Sequence, residues 1–197
     1  MGRPPTIDRD SVLSAGLAIA DESGLQAVTM QSVAERLGVT PMALYRHVDN
    51  KADLLDGLVE LLLAEVATMP SGLAWQERLR RLGRAVRKTA QRHPGVFPLL
   101  LQRPAATAGA LTVRDEVCRA LEEGGIAKTD VARTERVIST AMLGFAASEA
   151  GGRFASRSTR EVNADFSATE AMVEGYLEHL ATAAAKRART GGRPAPS

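Results

Sequence analysis

Between Thr29 and Lys51 the chain reads TMQSVAERLGVTPMALYRHVDNK, and the side chains best placed to do chemistry sit where a second short helix begins. Gly38-Val39-Thr40 separates two helical patterns. Gly38 suits the left-handed residue that ends a helix, Thr40 the cap of the next, and Pro41 its first turn, where no backbone donor is needed. A turn of about three residues between two short helices has the spacing of a helix-turn-helix. Such a motif lays its second helix in the major groove with the N-terminal residues against base edges. Here those residues are Thr40, Pro41, Met42 and Ala43. A threonine hydroxyl can bond a base or a phosphate, and methionine and alanine can pack on thymine methyl groups. The motif occupies about residues 30–49.

Other elements must hold this segment in place. Asp8 is a cap for a helix from Arg9 to Ser23-Gly24, with Ile7 and Val12 able to close a hydrophobic staple across it. Thr29 caps the helix that carries Ser32, Val33, Ala34 and Leu37. Val12, Ile19, Val33, Leu37, Leu44 and Val48 would make the core of a small three-helix unit. Asn50 caps a fourth helix from Lys51 to about Thr68, before Met69-Pro70-Ser71-Gly72 breaks the pattern. Beyond the break the spacing stays helical over Trp75–His93, Val96–Gln102, Ala106–Glu123, Asp130–Ala150 and Ala164–Ala188, with no strand-type alternation of useful length. The expected fold class is all-α. A helix-turn-helix domain takes residues 7–66 and a larger helical bundle residues 73–188, with residues 1–6 and 189–197 as flexible tails.

The 197 residues are 45% apolar, ordinary for a soluble globular protein. The most apolar run, Leu54 to Val66, is broken by Asp56, Glu60 and Glu65, so no membrane partner is expected. MGRPPTIDRD lacks the apolar core of a secretory signal. The single cysteine, Cys118, cannot form an internal disulfide and suits a reducing cytoplasm, where its apolar neighbours make it a small buried residue. Charge gives DNA binding no support. The net balance is only +2, and Arg3, Arg9, Arg36, Arg46 and Lys51 are offset by Asp8, Asp10, Asp21, Glu22, Glu35 and Asp49. The arginines of Trp75–His93 (Arg78, Arg80, Arg81, Arg84, Arg87, Lys88 and Arg92 make the basic set) lie off the Leu79-Leu82-Val86 stripe, as a solvated face would. His93 and His179 lack companions at metal-ligand spacing, so neither a metal nor another cofactor is expected.

With LGVTPMALYRHVDNKADLL in view, the segment from about Ile7 to Val66 resembles the N-terminal domain of the TetR family of bacterial transcriptional regulators. The likeness rests on the preceding helix, the Gly-Val turn, the Leu-Tyr-Arg-His core and Asn50-Lys51-Ala52-Asp53-Leu54-Leu55. RHPGVFPLLLQRP, followed by a helix ending in EEGG, is similar to the subgroup nearest the tetracycline repressors. The resemblance implies that Tyr45 and His47 contact phosphates and that Lys51 holds the DNA backbone at the start of the next helix. It places Thr29 and Gln31 for phosphate or base-edge contact. Arg46 either reaches a phosphate or only solvates the outer side of its helix. The residues alone leave Tyr45 the alternative of a core aromatic, His47 that of an ordinary surface residue and Lys51 that of a helix-start charge. Arg3 either enters a minor groove or belongs to an arm without a role.

The resemblance also implies a homodimer, since one short recognition helix reads too few bases. Val137, Thr140, Gly144, Ala147 and Gly151 offer a small-residue face on one long helix. Phe166, Met172, Val173, Tyr176, Leu177 and Leu180 offer an apolar stripe on the next. The alternative is that both stripes close the monomer's own core. Trp75, Phe97, Leu100, Leu101, Met142 and Phe145 are candidates to line a pocket for an unknown small-molecule effector, largely apolar; the metal-chelating pattern of tetracycline sensing is absent. The expected function is therefore a ligand-responsive repressor that binds a palindromic double-stranded DNA operator, and not an enzyme. Two other classes compete: a ligand-independent architectural DNA-binding protein, and a helical enzyme. The last is opposed by the lack of a nucleophile elbow, an HExxH pair or a phosphate-cradling glycine loop.

Overall fold

Polar caps fix the helix starts of the N-terminal third. In helix α1 (Arg9–Ser23) the Asp8 carboxylate accepts from the Ser11 backbone N–H while the Ser11 hydroxyl accepts from that of Asp8. The bond from the Ser11 side chain leads the influences that hold the Asp8 carboxyl below its ordinary range. Thr29 and Ser32 make the same reciprocal cap at α2 (Met30–Leu37), after a single 3-10 turn at Leu25–Ala27. Gly38 ends α2 at φ 68 and ψ 31, the left-handed conformation that its position in the sequence called for. Helix α3 (Pro41–Leu44) is one turn long, continued by turns through His47. Asn50 caps α4 (Lys51–Val66) by accepting from the N–H groups of Ala52 and Asp53.

The computed structural model describes residues 7–67, 72–102 and 108–191, with side chains described through Arg187. Arg3, the break at 68–71 and the expected helix start at Ala106 lie outside the described residues. The chain continues through α5 (Trp75–Arg92), α6 (Leu99–Gln102), α7 (Ala108–Glu123), α8 (Lys128–Ala150) and α9 (Thr159–Gly191), and no strand occurs among the described residues. Val12, Ile19, Val33, Leu44 and Val48 are buried with Leu54, Leu58 and Leu62 of α4 in one core; Leu37 packs at its edge, half-buried. A second core joins Val66 at the end of α4 to Leu82, Val117, Leu121, Ile138 and Leu177. Each such side chain contributes roughly 1.5–3 kcal/mol by leaving water.

Three expectations need correction. Helix α9 begins at Thr159 rather than Ala164. The Ser158 backbone and hydroxyl both donate to the Glu161 carboxylate, and the Glu161 N–H donates back to the Ser158 oxygen, so a Ser-x-x-Glu cap starts the helix five residues early. It also runs to Gly191, three residues into the expected tail. Second, the basic set of α5 is only in part a solvated face: Arg81, Arg84, Lys88 and Arg92 are exposed, but five of its arginines reach acids on other helices. Arg78 pairs with Glu116 and Glu123 of α7, Arg80 with Glu174 and Arg84 with Glu170 of α9, Arg87 with Glu149 of α8, and Arg92 with Glu65 of α4. Arg87 also donates to Asn163 and lies over the Phe166 ring, 4.6 Å from its centroid. Third, Phe166 and Leu177 are buried within their own chain, and Val173, Tyr176 and Leu180 pack against the second core. What remains uncovered of the expected faces is narrower: Val137, Thr140, Gly151 and Met172 are exposed, and half-buried Gly144 has open space beside it.

A polar joint connects the two cores. His93 is buried just past α5, with Nδ1 at 2.8 Å from Asp21 of α1 and Nε2 at 3.1 Å from Glu65 of α4. Two residues on, Gly95 passes so close to the end of α1 that a Cβ there would lie 2.8 Å from the Ala20 carbonyl oxygen.

The Glu149 carboxyl is held below its ordinary range, first by the Arg87 hydrogen bond and then by Gln91. Its contribution is therefore present above the unfolded carboxylate range and lost as pH falls through the lower folded value. Glu149→Gln is expected to cost about 2 kcal/mol at pH 7. Urea denaturation should show the gap between variant and parent closing as the pH is taken below about 4.

Candidate DNA interface and the cavity behind it

The one-turn helix α3 is too short to be stable alone, so its position depends on what holds it. Leu44 is fully buried beneath it and Val48 nearly so. Arg9 fixes its far end: the guanidinium donates to the His47 carbonyl at 2.7 Å and to both Asp53 carboxylate oxygens at 3.0 and 2.6 Å. Asp53 also accepts from the Asp49 N–H. The Arg9 bond is the leading cause that lowers the Asp53 carboxyl from its ordinary value. Arg36 of α2 makes a two-point pair with Glu22 of α1. The three helices and the start of α4 are thus tied by charge as well as by packing.

This frame leaves a small outward face. Met42 is 74% and Tyr45 47% exposed, which removes Tyr45 from the core. Thr40 caps α3 by position but makes no side-chain capping bond, so its exposed hydroxyl is available. Pro41, Ala43 and His47 are half-buried, and Arg46 and Lys51 are exposed without an ion pair among the described residues. Thr29 and Gln31 are exposed but engaged. The Thr29 hydroxyl accepts from Ser32 in the α2 cap, and the Gln31 amide donates to Glu35 at 2.6 Å. Gln31 keeps its amide oxygen and a second N–H for another partner, while the Thr29 hydroxyl would share its capping bond to touch DNA.

Behind this domain lies a cavity of about 630 Å³ bounded by α4 through α9, within the range of small-molecule sites. Trp75, Leu100 and Met142 are among its walls, with Val59, Leu63 and Val66 of α4. Phe97, Leu101 and Phe145 are not. Phe97 is fully buried with Ala90 and Ala146, Leu101 points to solvent at 51% exposure, and Phe145 packs against Phe154 and Phe166. Helix α4 therefore enters the first core along Leu54, Leu58 and Leu62 and walls the cavity with Val59, Leu63 and Val66, of which Val59 and Leu63 also belong to that core. Its Glu60 accepts the Gly109 N–H at the start of α7, and its Glu65 meets His93.

Arg9, Asp53, Glu60 and His93 were not singled out from the sequence as site residues. Arg9 carried a signal: a cation in the first turn of a helix opposes the macrodipole and needs a tertiary partner to justify it. His93 and Glu60 carried none, because their partners lie far along the chain.

Residues 12–58 match the family of bacterial regulatory proteins called tetR, and residues 70–191 match the tetracyclin repressor-like C-terminal domain. The chain belongs to the TetR family. Among relatives, the HTH-type transcriptional repressor DrrR1 of Streptomyces coeruleorubidus is 28% identical over 84% of this chain. This chain spans 62% of DrrR1's length. The class A tetracycline repressor from transposon 1721 of Escherichia coli is 33% identical over 73% of this chain and 67% of its own. Among solved structures, BioQ with its double-stranded DNA operator superposes with a TM-score of 0.71 at 26% identity, over 87% of this chain and 98% of that one. In this TetR-family chain the Arg9 staple should matter for affinity more than for folding. Arg9→Met is expected to weaken binding to a selected DNA site by about tenfold, with about 1 kcal/mol or less lost in stability, since the pair is partly exposed. Fluorescence anisotropy on labelled DNA and urea denaturation of the same samples would read the two effects.

Proposed function

We propose that this TetR-family chain is a repressor that binds a palindromic operator as a homodimer and is switched by a small, largely apolar effector. The observation that carries the proposal is the double role of α4: it shares a core with the recognition helix and walls the cavity. Met42, Ala43 and Thr40 supply base contacts, and Tyr45, His47, Arg46 and Lys51 phosphate contacts, with Gln31 joining through its unused amide groups and Thr29 by sharing its capping bond. BioQ, of the same fold, is seen on a DNA operator, and DrrR1 bears the name repressor, which supports the reading. The Val137, Thr140, Gly144 and Met172 face is where the second subunit packs. Operator binding by such a pair sets the two α3 helices about 34–36 Å apart, or a multiple of that. An effector against Val59, Leu63 and Val66 displaces α4, and so that spacing. It acts only to the extent that it binds the displaced form more tightly.

Selection of bound sequences from a random DNA library at physiological salt tests the whole reading. One palindrome enriched by orders of magnitude is the expected result. Recovery without enrichment, with steep salt dependence, would identify an architectural binder instead. On the recovered site, Tyr45→Ala combined with His47→Ala should weaken binding by about a hundredfold, from roughly 1–2 kcal/mol per charge-assisted contact. Sedimentation should show the subunit mass unchanged. Normal DNA binding by the double variant would refute the assigned surface.

A further inference from the structure

The cavity walls are mostly apolar, yet Glu135 of α8 stands among them with its side chain only 12% exposed. Its Oε1 accepts from the Ser139 hydroxyl at 3.0 Å, one helical turn further on. Its Oε2 faces Arg114 Nε of α7 at 3.9 Å, an ion-pair distance too long for a hydrogen bond. The other cavity acids differ. Glu170 accepts from Arg84 at 3.0 Å, Glu174 is bonded by Arg80, and Glu178 is exposed. Glu170 is as buried as Glu135 and also keeps one oxygen unbonded, but a guanidinium hydrogen-bonds its other oxygen; among the described residues Glu135 is thus the largely buried cavity carboxylate that no cation hydrogen-bonds. The Oε2 of Glu135 is still reached by solvent, and a ligand that displaces the solvent must offer a donor in its place.

We propose that Glu135 is the polar anchor of the effector, its Oε2 accepting a hydrogen bond from a donor on an otherwise apolar molecule. The inference rests on reading the cavity as the effector site. It narrows the ligand to a rigid hydrocarbon body bearing a hydroxyl or amine. An acceptor-only or anionic group at this position would meet the carboxylate's lone pairs and be rejected. Ile138 and Met142, three and seven residues along α8, also line the cavity, so a ligand anchored at Glu135 has an apolar wall beside it. Glu135 consequently sets which apolar molecules act, while the α4 wall responds to occupancy.

The chain contains a single tryptophan, Trp75, and it lines the cavity, so quenching of its emission reports binding. The probes are anthracene, 2-hydroxyanthracene and anthracen-2-ylmethylamine, titrated into the full-length parent, Glu135→Leu and Glu135→Gln. The parent should bind at least one donor-bearing probe about tenfold or more tighter than anthracene, the gain of a hydrogen bond to a charged acceptor. Preference for the hydroxyl probe identifies a neutral donor, and preference for the ammonium probe a cationic one; either supports the anchor. Glu135→Leu should bind anthracene as well as the parent does, which also shows that it is folded, and lose the preference. Glu135→Gln should keep part of it through its amide oxygen. Equal binding of all three probes by the parent, or a preference that survives in Glu135→Leu, would overturn the anchor while leaving the cavity reading intact. Failure of every probe to quench the parent would overturn the cavity reading and the anchor with it.

Discussion

Helix α4 cannot serve one domain without engaging the other. Leu54, Leu58 and Leu62, spaced by one turn, are sunk in the first core together with Val59 and Leu63, while Val59, Leu63 and Val66 line the cavity and Val66 belongs to the second core. Close-packed interiors resist continuous deformation, so a push on one face must either be absorbed by repacking or carried to the other. The polar ties add direction. Glu60 is held at the start of α7, and Glu65 is joined through His93 to Asp21 at the end of α1. The second domain thereby grips the N-terminal unit at two of its helices.

The recognition element has little independent substance. Helix α3 is a single turn, and its geometry derives from Leu44 below, Gly38 before it and the Arg9–Asp53 pair behind it. What this frame leaves exposed is the Met42 thioether, the Tyr45 phenol, the Thr40 hydroxyl and the Arg46 guanidinium. Specificity on such a face relies on orientation, so the frame matters as much as the reading side chains do.

The parts of this arrangement that were legible in the sequence are those fixed within four residues. Asp8, Thr29, Gly38 and Asn50 each act on backbone groups one turn away, and their types announced the helix ends that the structure shows. The Ser158-x-x-Glu161 cap belonged to the same class of signal, although the apolar pattern after Ala164 is the louder one. Long-range pairing is different in kind. The α5 arginines find their acids 45 residues away in Glu123 and 94 residues away in Glu174, and the sequence shows only a helix with charge on its outer faces. Phe97 and Phe145 illustrate the same point for apolar groups: type and spacing mark them as interior, but which interior they fill depends on how α5 and α8 cross.

The commitment of the α5 arginines to internal acids also governs how the complex with DNA would answer to ions in solution. Guanidinium groups already neutralised by Glu116, Glu149, Glu170 and Glu174 displace no condensed cations from a duplex. In the N-terminal domain Arg9 and Arg36 are likewise spoken for, which leaves Arg46 and Lys51, among the described residues, as the cations beside α3 without an ion pair. Counterion release scales with phosphates neutralised, at about −0.9 in log affinity per log salt for each. Attachment to DNA through these described cations alone would draw its strength from neutral donors and shape, and would loosen only gently as salt rises.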